Sequence, residues 1–147
     1  MKNLRLNLNT KNILSGLLFT FLLAAFTSCS KKVTFLNSSV VPAAQGFVKV
    51  NKDDNKNYVI KIEIKNLAEV NRIQPPKNAY VIWMITDENS TKNIGQIKSG
   101  SSMMSSKLKA SFETVTPFKP TKIFITAEDN ADVQYPGAPT VLSTDSF

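Results

Sequence analysis

The chain has 147 residues and a formal charge of +7. It contains no histidine and a single cysteine, which excludes an intramolecular disulfide, a His/Cys zinc site and any imidazole-based nucleophilic triad. Three basic residues, Lys2, Arg5 and Lys11, precede the cysteine, so the remainder carries +4, a mild charge spread over strands and turns that does not indicate a nucleic-acid partner.

Those three cations lead into the low-polarity run from Ile13 to Phe26, the basic and apolar regions of a secretory signal. The run is shorter than the about 20 residues a membrane-spanning helix needs, and it ends in Thr27, Ser28 and Cys29, with Lys31 and Lys32 directly behind. A signal anchor with an incidental cysteine is one reading. The placement of the only cysteine favours another, in which residues 1–28 are a lipoprotein signal peptide and Cys29 is the lipid-modified first residue of the mature chain. The stretch resembles a lipobox, with Phe26 where Leu is usual. Only a thiol accepts a diacylglycerol as a stable thioether, and several acyl chains anchor far more firmly than one. Residues 29–39 are expected to form a polar tether, with Lys31 and Lys32 near anionic headgroups, and residues 40–147 the folded domain. No acidic run follows Cys29, so a periplasm-facing position in the cell envelope is expected.

The domain reads as strands. Ala44 to Val50 is apolar-rich, and Lys52 to Asn57 supplies hairpin turn residues. That turn lacks the glycine and the closing glutamate of a calcium loop. Tyr58, Ile60, Ile62 and Ile64 alternate with Val59, Lys61, Glu63 and Lys65, an apolar face against a charged one. Asn66 to Asn78 is a long loop stiffened by Pro75 and Pro76. Tyr80 to Ile85 is apolar throughout and rich in β-branched and aromatic residues, a strand covered on both faces. Asp87 to Asn93 reads as a turn and Ile94 to Ile97 as a short strand, followed by a loop holding Met103 and Met104. Lys107 to Val115 alternates again, with Leu108, Ala110 and Phe112 inward. Pro117 and Pro120 bracket a turn before the strand Lys122 to Ala127, and a last strand is expected at Pro139 to Leu142. About seven short strands without an amphipathic helix predict an all-β, immunoglobulin-like antiparallel β-sandwich. Trp83, Phe112 and Phe124 are expected in its core.

Gln45 to Val50, Tyr80-Val81-Ile82-Trp83, Ile94 to Ile97, and Thr126-Ala127-Glu128 followed by Pro136-Gly137-Ala138-Pro139 together resemble the extracytoplasmic C-terminal domain of anti-sigma-K factors. The resemblance runs from Ala43 to Leu142 and covers most of the mature chain. It implies the sandwich fold and a non-enzymatic role in regulation or interaction. Those factors also carry a cytoplasmic sigma-holding domain and a membrane helix, neither of which is expected from this sequence, so direct contact with a sigma factor is not expected.

Few side chains offer covalent chemistry. Five glycines, no two close enough for a phosphate loop, and the absence of histidine leave a carboxylate pair among Glu128, Asp129 and Asp132 as the remaining enzymatic option. An acidic stretch with asparagine between strands is ordinarily a solvated turn, so neither a catalytic residue, a bound metal nor a cofactor is expected. The expected function is that of an envelope-anchored binding or sensory module, held to the membrane through Cys29, with an envelope protein or polymer as partner. A small carboxylate-dependent hydrolase and a structural spacer are the alternatives. The candidate binding residues are Arg72 in the 66–78 loop, and Glu128, Asp129 and Tyr135 in the segment from Glu128 to Gly137.

Overall fold

The computed structural model describes residues 30–97, 100–101 and 108–147; Cys29, Met103 and Met104 lie outside the described residues. Within them the chain forms nine strands: β1 (Lys31–Thr34), β2 (Gln45–Lys52), β3 (Tyr58–Lys65), β4 (Ala79–Thr86), β5 (Thr91–Ile97), β6 (Gly100–Ser101), β7 (Leu108–Thr116), β8 (Pro120–Glu128) and β9 (Thr140–Ser143). They build two antiparallel sheets, ordered β1-β2-β3-β7-β6 and β5-β4-β8-β9. With β1 set aside, these are the A-B-E-D and C′-C-F-G orders of an immunoglobulin-like sandwich. The fold class expected from the sequence is therefore observed.

The alternation in β3 fixes which face turns inward. Ile60, Ile62 and Ile64 are at most 1% exposed, whereas Lys61, Glu63 and Lys65 face water. They share one core with Val48 and Val50 of β2, Ile82 and Met84 of β4, and Ile123 and Ile125 of β8. Burying each isoleucine contributes roughly 1.5 to 3 kcal/mol. The two sheets also touch near β5, where Gly95 has φ 137° and a Cβ at that position would meet the Phe112 ring at 2.7 Å. Only glycine fits both that backbone and that gap.

Four expectations are corrected. The tether does not extend to residue 39: Lys31 to Thr34 pairs with β2, the Phe35 amide donates to the Gly46 carbonyl at 3.0 Å, and the Leu36 amide donates to the Ser143 carbonyl at 2.8 Å. This segment thus bonds first to one sheet and then to the other. Val41 and Ala44 enter the core, and the Ser38 hydroxyl accepts from the Val41 amide at 2.9 Å. Second, there are nine strands rather than about seven, because β1 falls in the expected tether and the two-residue β6 in the expected loop. Third, β5 starts at Thr91 and β8 at Pro120, so the turns before them are shorter than expected.

Fourth, Trp83 is fully buried but outside the inter-sheet core. Side chains alternate along β4, so Tyr80, Ile82 and Met84 face the core while Val81 and Trp83 face the outer side of their sheet. Phe124 lies beside Trp83 there, with ring centroids 6.3 Å apart, while Phe112 packs at the margin of the main core. Something must cover that outer face, and the segment between β8 and β9 crosses it: Asn93 of β5 donates its side-chain amide to the carbonyls of Ala131 and Val133 at 3.0 and 2.9 Å.

The strands set two ends of the sandwich apart. One end holds the start of β1, the 52–57, 87–90 and 117–119 turns, and Phe147. The other holds the 36–44 and 66–78 segments and the loop after β8. Strands of eight residues at about 3.3 Å each separate the two by roughly 25 Å.

Candidate functional site

The two loops singled out in the sequence lie at the same end because of one pairing: Ala79, which ends the 66–78 loop, is the register partner of Glu128, which begins the other. The Asn78 amide donates to the Glu128 carbonyl at 3.0 Å and its side-chain amide to the Asp129 carbonyl at 3.1 Å. The Lys77 ammonium lies 2.8 Å from the Asp129 carboxylate. The Asp129 side chain is well exposed, so this ion pair contributes no more than about 1 kcal/mol, and its value is positional.

The 66–78 loop is held from inside as well. Leu67 is fully buried and Ile73 is 4% exposed. The Tyr80 hydroxyl donates to the Ala68 carbonyl at 3.0 Å, and burial pushes its pKa up to about 12. A single 3-10 turn at Val70–Arg72 follows, in which the Arg72 amide donates to the Glu69 carbonyl at 2.9 Å. The Arg72 side chain projects outward, 74% exposed, with its Nε 2.9 Å from the Glu69 carboxylate. Depressions lie on either side of the turn. One, of about 510 Å³, is lined by Val40, Pro42, Ala68, Arg72 and Gln74. The other, of about 440 Å³, is lined by Glu69, Asn71, Lys77, Asn78 and Gln96.

Of the four candidate binding residues, Arg72, Asp129 and Tyr135 are at the surface. Tyr135 is 83% exposed, the most open large hydrophobic side chain of the described residues. No hydrogen bond or ion pair among the described residues joins it to Arg72; the loops meet at Lys77 and Asp129 instead. Glu128 is corrected. Its residue is 6% exposed, and its Oε1 accepts from the Thr126 hydroxyl at 2.5 Å and from the Gly137 amide at 2.7 Å. Thr126 in turn accepts from the Trp83 indole N–H at 2.7 Å. Glu128 therefore closes its loop from beneath and presents nothing to a partner. The spacing that reveals this is Thr126-x-Glu128, two residues on one face of a strand, followed nine residues later by a glycine.

The same geometry bears on chemistry. Glu128 has its carboxylate committed to two donors, Asp129 is paired with Lys77, and the Asp132 amide bonds the Asn130 side chain at 3.2 Å in a local turn. Among the described residues no three acidic, histidine or cysteine side chains converge as metal ligands, and no helix is long and apolar enough to cross a membrane. What the end offers is a braced, two-loop surface with one exposed guanidinium and one exposed phenol. Compared with protein-family models, curated proteins and solved structures, the chain finds no match.

Proposed function

We propose that this protein is a lipid-anchored envelope protein whose sandwich acts as a non-enzymatic binding module, presenting the 66–78 loop and the loop after β8 to an extracytoplasmic protein or polymer. The observation that carries the reading is the opposition of the two ends. The chain enters the fold at Lys31 on one end, while the paired loops with Arg72 and Tyr135 stand at the other, roughly 25 Å away. A lipid on Cys29 would hold the first end at a membrane and leave the second free. Loops on a rigid sandwich are suited to contact, and an exposed tyrosine supplies area at low entropic cost. A regulatory or sensory role like that of anti-sigma factor extracytoplasmic domains, without the sigma factor, is the form this binding takes.

The test is photo-crosslinking in intact cells from probes placed at Tyr135, at Arg72 and, as control, at Lys61 on the exposed sheet face. A discrete adduct from either loop position, absent from the Lys61 probe, is expected. No loop adduct, or the same adducts from all three positions, would mean that the loops do not form a binding surface and that the domain serves as a spacer.

A further inference from the structure

The open mouth of the inter-sheet space at the β1 end has its own composition. The alternation that puts Val50 and Ile60 in the core puts Lys31, Lys52 and Tyr58 on the same face, one step beyond its edge. They surround a cleft of about 390 Å³ lined by Val50, Asn51, Tyr58, Pro120 and Phe147 together with Lys31, Lys52 and Lys119. The Lys31 ammonium sits 5.5 Å from the centre of the Phe147 ring and that of Lys52 sits 5.2 Å from the centre of Tyr58. Phe118, 43% exposed in the adjoining turn, adds an apolar contact beside Lys119, with Lys92 at 4.2 Å from its ring centre. Asp53, Asp54, Asp87, Glu88 and Asp145 share this end, but none lines the cleft. Asp53 is also occupied within its own turn, accepting from the Asn57 amide at 2.7 Å. Among the described residues none of the three cleft lysines is in an ion pair.

We infer that this mouth is a docking surface for anionic lipid headgroups, with the three ammoniums on lipid phosphates and the aromatic lining at the headgroup boundary. The inference rests on the lipid anchor proposed above. β1 begins only two residues after Cys29, and two extended residues reach at most about 7 Å. An acyl chain on Cys29 therefore leaves the cleft no position except at the membrane surface. Charge complementarity and the aromatic lining then make that contact favourable, since lysines lay apolar stems along a greasy surface while their heads meet phosphate. The consequence is a fixed posture: the sandwich stands on its β1 end and carries Arg72 and Tyr135 one strand length above the bilayer.

The experiment uses the full chain, purified from its native envelope and reconstituted in phosphatidylethanolamine vesicles with or without phosphatidylglycerol. An environment-sensitive fluorescent amino acid replaces Asn55 in the β1-end turn or, separately, Gln134 in the opposite loop, and acrylamide quenching reads its exposure. Each lysine at an anionic surface confers about a fivefold preference for it, so position 55 is expected to be quenched at least about threefold less when phosphatidylglycerol is present. Position 134 is expected to be unchanged. The combined Lys31→Gln, Lys52→Gln and Lys119→Gln variant, its fold checked by Trp83 emission, should abolish the difference at position 55. Equal quenching in both vesicles, or protection that persists in the triple variant, overturns the surface. Fatty-acid labelling of the wild type and of Cys29→Ser reports the anchor separately. Label uptake with position 55 unprotected refutes only the docking surface, and protection without label uptake refutes only the anchor.

Discussion

The Gly137 amide donates to the Glu128 carboxylate across nine residues, and a Cβ on Gly137 would stand 2.6 Å from Glu128 Oε2. The loop after β8 is closed by this contact. Glu128→Ala leaves the Gly137 amide and the Thr126 hydroxyl without their acceptor, at a cost of roughly 2 to 3 kcal/mol. Gly137→Ala drives a methyl into the same carboxylate and is expected to cost about 1 to 3 kcal/mol. The two losses should not add, because once Glu128 is alanine the methyl has nothing to strike. Chemical denaturation of both single variants and the double variant measures the coupling, and strict additivity would show that the clasp does not exist.

Above that clasp, the buried Trp83 indole N–H has the Thr126 hydroxyl as its acceptor. Thr126→Val keeps the shape and removes the acceptor, which orphans a buried indole N–H and costs about 1 to 3 kcal/mol. Because the chain has one tryptophan, its emission reports this site alone. A shifted emission with lowered stability is expected for Thr126→Val. Thr126→Ser should keep the emission close to that of the wild type, since it keeps the hydroxyl.

The sequence displays the fold where one face is wet. Ile60, Ile62 and Ile64 against Lys61, Glu63 and Lys65 give both the strand and its orientation, because a period of two can only be a half-buried sheet. Tyr80 to Ile85 carries no such contrast, so its strand character was readable and its facing was not; Trp83 turned outward beneath a loop that no local pattern announces. β1 was missed because Lys31-Lys32-Val33-Thr34 is short and polar, and its pairing is dictated by the free edge of β2 rather than by its own side chains. Arg72, Asp129 and Tyr135 were legible as loop residues. Glu128 was not, since an acid next to Asp129 and Asn130 looks solvated until Gly137 is brought back over it by the pairing of β8 with β9.

Ile62 offers the cleanest measure of the core. It is 1% exposed and pairs with Val48 on one side and Phe112 on the other. Ile62→Ala should cost roughly 2 to 5 kcal/mol, from lost transfer energy and an unfilled cavity. Lys61→Ala, one residue away on the wet face, breaks only the exposed pair with Glu113 at 3.2 Å and should change stability by less than about 1 kcal/mol. Comparable losses in the two variants would contradict the assigned facing of β3.

Tyr80 makes alkaline stability a readout of how the 66–78 loop is held. Burial raises its pKa from 10.0 to about 12, so the phenol stays protonated in the fold at pH values where the unfolded chain has begun to lose that proton. The folded state then binds more protons than the unfolded one, and stability must fall as pH rises. This contribution is fully present below pH 10, is lost progressively from there, and is gone above about 12, for a total on the order of 2 kcal/mol. Tyr80→Phe removes the titrating group together with the bond to the Ala68 carbonyl. At neutral pH the variant should be less stable by about 1 kcal/mol. Between pH 10 and 12 its stability should fall less steeply than that of the wild type, so that the two curves converge and then cross before the wild-type loss is complete. Denaturant midpoints measured across that window decide the matter, and a wild-type curve that runs parallel to that of Tyr80→Phe would show that the hydroxyl ionises as freely in the fold as outside it.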